Sequence, residues 1–172
     1  MAFTDLKLMP ADVVATRSEA LLGTAIRFVQ KAKASDDEAT YNHTLTILAP
    51  SGRMIEAVSH IQEGNLYEAY RGQRVLVARW VHMDDIRRAM VCDAVKKYEG
   101  KHYPWSRLVL HLLGLAKYIH WNVPVCSELT AYGLYIAGAR RNWWGVMPDD
   151  LADEWRISRH YDVIFEGVLE GA

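Results

Sequence analysis

The chain has 172 residues, 51% of them apolar, with 20 basic and 21 acidic side chains. That length and apolar content predict one domain, residues 1–172, with its own core, and argue against a disordered chain. Charge is balanced, and neither a zinc-finger spacing nor a recognition-helix signature occurs, which argues against nucleic acid as a partner.

Met1-Ala2-Phe3-Thr4-Asp5 has no basic n-region and no apolar run. No signal peptide is read there, so the expected location is the cytoplasm as synthesised, with export by another route left open. Asp12 to Thr16 is a short β-branched strand. Ala20 to Ala34 reads as a helix with Leu22, Ile26 and Val29 on one side, followed by a polar loop, Ser35 to Glu38. His43 to Leu48 alternates like a strand. Pro50-Ser51-Gly52 is a turn, and Arg53 to Val58 returns as the second arm of a hairpin.

Residues 59–72 carry little pattern. Gln73 to Arg79 is a further strand. Met83 to Tyr98 reads as a helix with Asp84 and Asp85 in its first turn and Gly100 beyond its end. Tyr103 to Lys117 reads as a second helix. Its Leu108 to Ala116 stretch is the most apolar in the chain, yet it is too short to span a bilayer and carries His111. A buried helix is the expectation, with a surface for lipid or a partner as the alternative. Pro148 to Leu151 opens a short helix or turn, and Tyr161 to Phe165 is a last strand. Strands early and helices late give an α+β class.

Two cysteines, Cys92 and Cys126, are too few and too far apart for a disulfide scaffold. Cys92 lies on an apolar helix face and reads as core. Cys126 differs. After Pro124, apolar residues recur at Val125, Leu129, Tyr132 and Ile136, and Gly138 is a plausible stop. Cys126 is thus a lone thiol in the first turn of a helix, where unpaired N–H groups and the dipole favour a thiolate. A small buried hydrophobe is the ordinary alternative.

A nucleophilic thiol needs a base, and the base an orienting group. His43 is the best placed of seven histidines. Glu56 lies between Met54 and Val58 on one face of the return strand. A hairpin loop of two or four residues sets Leu45 opposite Glu56 and makes His43 and Glu56 diagonal neighbours on one face. A three-residue loop turns Glu56 to the other face, and His60 becomes the next candidate. Glu128 points about 200° away from Cys126 around the helix axis and reads as an ion-pair or capping partner. His111 and His120 lack the spacing of a helical zinc pair, so no metal and no cofactor are expected. Trp143 and Trp144 either pack or line a substrate groove. Tyr41, Tyr103 and Tyr132 are candidates for a second oxyanion donor, and Tyr41, Trp143 and Trp144 are the candidate substrate-contacting residues.

Four pieces resemble the YiiX/YebB-like family of circularly permuted, NlpC-type papain-fold cysteine hydrolases. They are Asp12 to Arg17, Tyr41-Asn42-His43-Thr44, Ile55-Glu56-Ala57, and Cys126-Ser127-Glu128-Leu129 with Pro148-Asp149-Asp150-Leu151 downstream. The order is the permuted one, histidine first and cysteine late. Two positions depart from it: Ala11 stands where glycine is common before the aspartate, and Asn42 where serine is common before the histidine. The resemblance implies a small papain-like fold, an antiparallel sheet packed against the Cys126 helix. It implies Cys126 as nucleophile, His43 as base and Glu56 as the group orienting His43. The activity implied is amide or ester hydrolysis, on cell-wall (murein) peptides or lipids. A thiol acyltransferase or lipid hydrolase on the same scaffold is the alternative, and a non-enzymatic binding or structural module with a relic site is a third.

Overall fold

The structure is a computed structural model that describes residues 6–17, 40–104, 106, 107, 110, 115, 118 and 122–170. The helix expected over 20–34, its polar loop, and most of the helix expected over 103–117 lie outside the described residues. The described chain is mixed α+β. In chain order it runs β1 (Val13–Thr16), β2 (His43–Ile47), β3 (Arg53–Ala57), β4 (Ile61–Asn65), α1 (Leu66–Ala69), β5 (Arg74–Trp80), α2 (Asp85–Lys96), α3 (Cys126–Ile136), α4 (Pro148–Ile157) and β6 (Tyr161–Val168).

The strands form one six-stranded sheet in the order β4-β3-β2-β1-β5-β6, and each neighbouring pair is antiparallel. β1 and β2 are buried on both faces, because strand side chains alternate and each face has its own cover. Val14, Leu45, Ile47, Met54, Val75 and Val77 meet Leu66 and Tyr70 on one face. Val13, Ala15, Leu76 and Ala78 meet Ala131 and Leu134 of α3, and Leu151 and Trp155 of α4, on the other.

The β2–β3 turn sets the register. Leu48 N–H donates to Arg53 O at 2.7 Å and Gly52 N–H to Ala49 O at 3.1 Å, which leaves Ala49-Pro50-Ser51-Gly52 as the loop. Gly52 has φ of +84°, and a Cβ there would stand 2.6 Å from the Tyr67 ring, so both conformation and space require glycine. With this loop, Leu45 pairs with Glu56 and Ile47 with Met54.

Four elements are new to, or extend, the sequence expectation. β4 and α1 fall in the weakly patterned 59–72 stretch. α4 opens at Pro148, as expected, and continues to Ile157, since Leu151, Ala152 and Trp155 form a buried stripe at helical spacing. β6 likewise runs on to Val168. No helix among the described residues is long and apolar enough to cross a membrane.

The entry to β1 is held by charge. Asp12 is fully buried and accepts from Arg79 Nε at 2.8 Å, Arg79 Nη2 at 2.7 Å and Met9 N–H at 2.7 Å. Just before it, Ala11 has φ of 67°. That left-handed conformation is one that glycine adopts at little cost and other residues rarely take. Glycine at 11 would relieve roughly 1 kcal/mol of strain, but it would forfeit a buried methyl of about 0.8 kcal/mol and add chain entropy. Ala11→Gly is therefore expected to shift stability by less than about 1 kcal/mol. Ala11→Val, a β-branched residue in the left-handed region, should cost roughly 2 kcal/mol or more. Urea denaturation of the two variants checks this, and an Ala11→Val protein as stable as the parent would contradict the backbone assignment.

Candidate active site

Cys126, His43 and Glu56 come together. Each is buried, at 2%, 4% and 6% exposure. His43 is the first residue of β2 and Glu56 lies on β3, on the same face, as the Leu45–Glu56 pairing requires. His43 Nε2 stands 2.8 Å from Glu56 Oε2. The Cys126 side chain is near enough to the same imidazole to act on it electrostatically. With Nε2 committed to Glu56, Nδ1 is the ring nitrogen left for sulfur.

The way Cys126 reaches His43 was not visible in the sequence. α3 covers the sheet face opposite to the one bearing His43 and Glu56. Cys126 and His43 are each the first residue of their element, so they meet at the end of the sheet. Cys126 itself packs among Ile55, Ala57, Val95, Tyr103 and Leu129. As the first residue of a helix, its N–H belongs to those without an intrahelical acceptor.

The electrostatics follow from burial and pairing. Burial works against a charged imidazolium, but Cys126 and Glu56 outweigh it and push His43 up to about 10. Burial likewise works against the Glu56 carboxylate, yet His43, and then Tyr70, hold it below the usual carboxylate value. Tyr70 donates its hydroxyl to Glu56 Oε2, and its ring lies along His43 with centroids 6.2 Å apart and planes 20° apart. Burial, Glu56 and Cys126 together push the Tyr70 phenol far above its ordinary value. Tyr103 is buried against Cys126 and Glu128, and burial, Cys126 and Glu128 raise it in the same way. Both phenols are thus kept as neutral donors. Tyr103 is delivered by its backbone, whose N–H donates to Ser59 O at 3.0 Å.

A second buried pair braces the start of α3. Arg107 and Glu128 are each 1% exposed, and Arg107 Nη2 lies 2.5 Å from Glu128 Oε1. Glu128 also accepts from Val125 N–H at 3.3 Å and from Gly145 N–H at 2.8 Å. One carboxylate therefore caps the helix that begins at Cys126 and ties it to the Trp143-Trp144-Gly145 segment.

The remaining expected residues take other places. Tyr41 is buried in the core, its hydroxyl donated to Glu166 Oε1 at 3.1 Å and its N–H to Asp149 Oδ1 at 3.2 Å. Trp143 meets Tyr132 and Trp144 edge-on, at centroid distances of 5.1 and 5.8 Å, and Tyr132 meets Tyr98 at 5.5 Å. This aromatic row runs from the end of α2 across α3 to the Trp144 segment. His60 is exposed and pairs with Ser59. Cys92 is half-buried, and burial pushes its thiol up. His111 and His120 lie outside the described residues. Tyr70 and Arg107 were missed by sequence reasoning. Arg107 had one signal, a lone charge at the head of an apolar run, and Tyr70 had none.

No family model and no curated protein matches the sequence. Among solved structures, the chain is similar to the metalloprotein YiiX from Escherichia coli O157:H7, with a TM-score of 0.58 at 17% identity. The match covers 95% of this chain and 89% of that one. The fold is YiiX-like. Among the described residues, no three His, Cys, Asp or Glu side chains are grouped to hold a metal ion. They therefore provide no donor set that fits the metal implied by that protein's description.

Removing one partner of a buried ion pair leaves the other charge unpaired, at a cost of about 3–5 kcal/mol. Glu128→Ala is expected to destabilise the protein by that order in denaturant titration. A loss below about 1 kcal/mol would mean that the Arg107–Glu128 pair is not buried as described.

Proposed function

We propose that this protein is a thiol hydrolase of the permuted NlpC-type, papain-like class, with Cys126 as nucleophile, His43 as base and Glu56 as the group orienting His43. The observation that carries the reading is His43 bonded through Nε2 to Glu56 while Cys126, which opens a helix, acts on the same imidazole. Protonation of His43 is favoured there, which supplies the imidazolium partner that thiolate chemistry at Cys126 needs.

The thiolate attacks the carbonyl carbon of an amide or ester, forming the C–S bond and an oxyanion. The Cys126 N–H is one donor to that oxyanion, and the Tyr103 hydroxyl, neutral and beside the sulfur, is the second. As the C–N or C–O bond breaks, His43 Nδ1–H protonates the leaving group. His43 then takes a proton from water, which attacks the thioester. The acid leaves, and the thiolate–imidazolium pair is restored. Glu56 stays ionised and fixes the imidazole through Nε2. Cell-wall peptides are the substrate class that the resemblance supplies, and the aromatic row ending at Trp144 is where such a chain would lie.

The two cysteines provide an internal control. By exposure alone Cys92, the more open, reacts first; by chemistry Cys126 does, because only it has an imidazolium partner. Iodoacetamide, a small reagent, at mildly acidic pH is expected to label Cys126 at least about tenfold faster than Cys92, and His43→Ala should erase the difference. Peptide mapping by mass spectrometry reads the result. Preferential labelling of Cys92 in the parent protein would overturn the proposal.

A further inference from the structure

Tyr70 belongs to the site without being one of its three reacting or orienting groups. It follows α1 directly, in a stretch whose pattern marks no element. Its backbone is fixed on both sides: Tyr70 N–H donates to Leu66 O at 3.0 Å, and Gln73 N–H to Tyr70 O at 3.0 Å. Its side chain is buried among Leu45, Met54 and Leu66. The phenol is thus held in place before any partner is considered.

We propose that Tyr70 is a positioning residue for the His43–Glu56 pair, its hydroxyl anchoring Glu56 Oε2 while its ring backs the imidazole. His43 Nε2 and the Tyr70 hydroxyl converge on the same oxygen. A glutamate side chain has rotatable bonds, and one hydrogen bond leaves its carboxylate free to swing about the contact. A second donor on the same oxygen, fixed by an independent element, removes that freedom. The neighbour facing Glu56 on β4 is Gln62, which is neutral and supplies no competing charge. The titratable groups facing Glu56 are His43 from β2 and Tyr70. Cys126, from α3, faces His43 and Tyr70. Tyr70 cannot exchange protons with the site at working pH, so it contributes a donor and a wall. A buried carboxylate stripped of that donor binds a proton more readily. Tyr70 thereby extends the lower limit of the pH range in which Glu56 orients His43.

The proposal rests on the His43–Glu56–Cys126 arrangement of the preceding reading, and the experiment separates the two. The His43 ring signal, assigned with His43→Gln, is followed by NMR against pH in the full chain. Its low-pH step reports protonation of Glu56. In Tyr70→Phe, which keeps the ring, that step is expected to move up by about one pH unit, the scale of one hydrogen bond to a charged group. In a Glu56→Gln background the step is absent, and adding Tyr70→Phe should leave the His43 signal unmoved. A merely structural role for Tyr70 would lower stability equally in both backgrounds and shift neither titration. Site-specific 3,5-difluorotyrosine at position 70, a stronger donor of similar size, should move the step down. It supplies the test if Tyr70→Phe does not fold. An unmoved step in both Tyr70 variants, or a His43 signal that Tyr70→Phe moves in the Glu56→Gln background as well, overturns the proposal. Alkylation of Cys126 that is indifferent to His43→Ala would instead sink the hydrolase reading, leaving the effect of Tyr70 on His43 as measured.

Discussion

The pairing of Leu45 with Glu56 decides which face of the sheet the acid occupies, and the rest of the site depends on it. A slip of one residue would send Met54 and Glu56 to the α3 side and bring Ile55 to the face lined by Leu45 and Ile47. It would cost both the apolar cover and the partner of His43. The loop Ala49-Pro50-Ser51-Gly52 enforces the register through a backbone conformation and a space beside Tyr67 that only glycine fits. Core packing and site geometry are therefore fixed by the same hairpin, which leaves Glu56 little freedom to drift while the fold survives.

Two buried carboxylates divide the work around Cys126. Glu56 faces an imidazole and a phenol, and Glu128 faces a guanidinium and two backbone N–H groups. In the proposed reading, the first set serves the transfer of a proton between sulfur and nitrogen. The second holds no exchangeable partner in the working range, because an arginine does not give up its proton. Glu128 and Arg107 thus act as a brace, setting where α3 begins and where the Trp143-Trp144 segment sits. Reactive and structural charge lie on opposite sides of the same helix start.

Much of this was legible in the sequence, for local reasons. The hairpin announced itself by alternation around Pro50-Ser51-Gly52. The Cys126 helix was visible in the spacing of Val125, Leu129, Tyr132 and Ile136, and the two-or-four-residue loop condition placed Glu56 correctly. The illegible parts are those whose partners are distant in sequence. β4 has one fully buried residue, Ile61, followed by four that are only half covered, so no alternation develops. Tyr70 meets Glu56 fourteen residues away, across a turn, β4 and α1, and no spacing rule connects them. Alternation along β2 showed that His43 and Leu45 share a face, but it could not show that α3 would cover the other one.

The central claim is that Cys126 forms a covalent acyl intermediate which His43 then hydrolyses. Intact-mass spectrometry after mixing the protein with a small activated ester such as p-nitrophenyl acetate tests it most directly. The account predicts a single added acetyl group, mapped to Cys126, that decays with time in the parent protein and persists in His43→Ala after slower loading. Acylation at Cys92 or at lysines alone, or a Cys126 adduct that decays equally fast without His43, would contradict it.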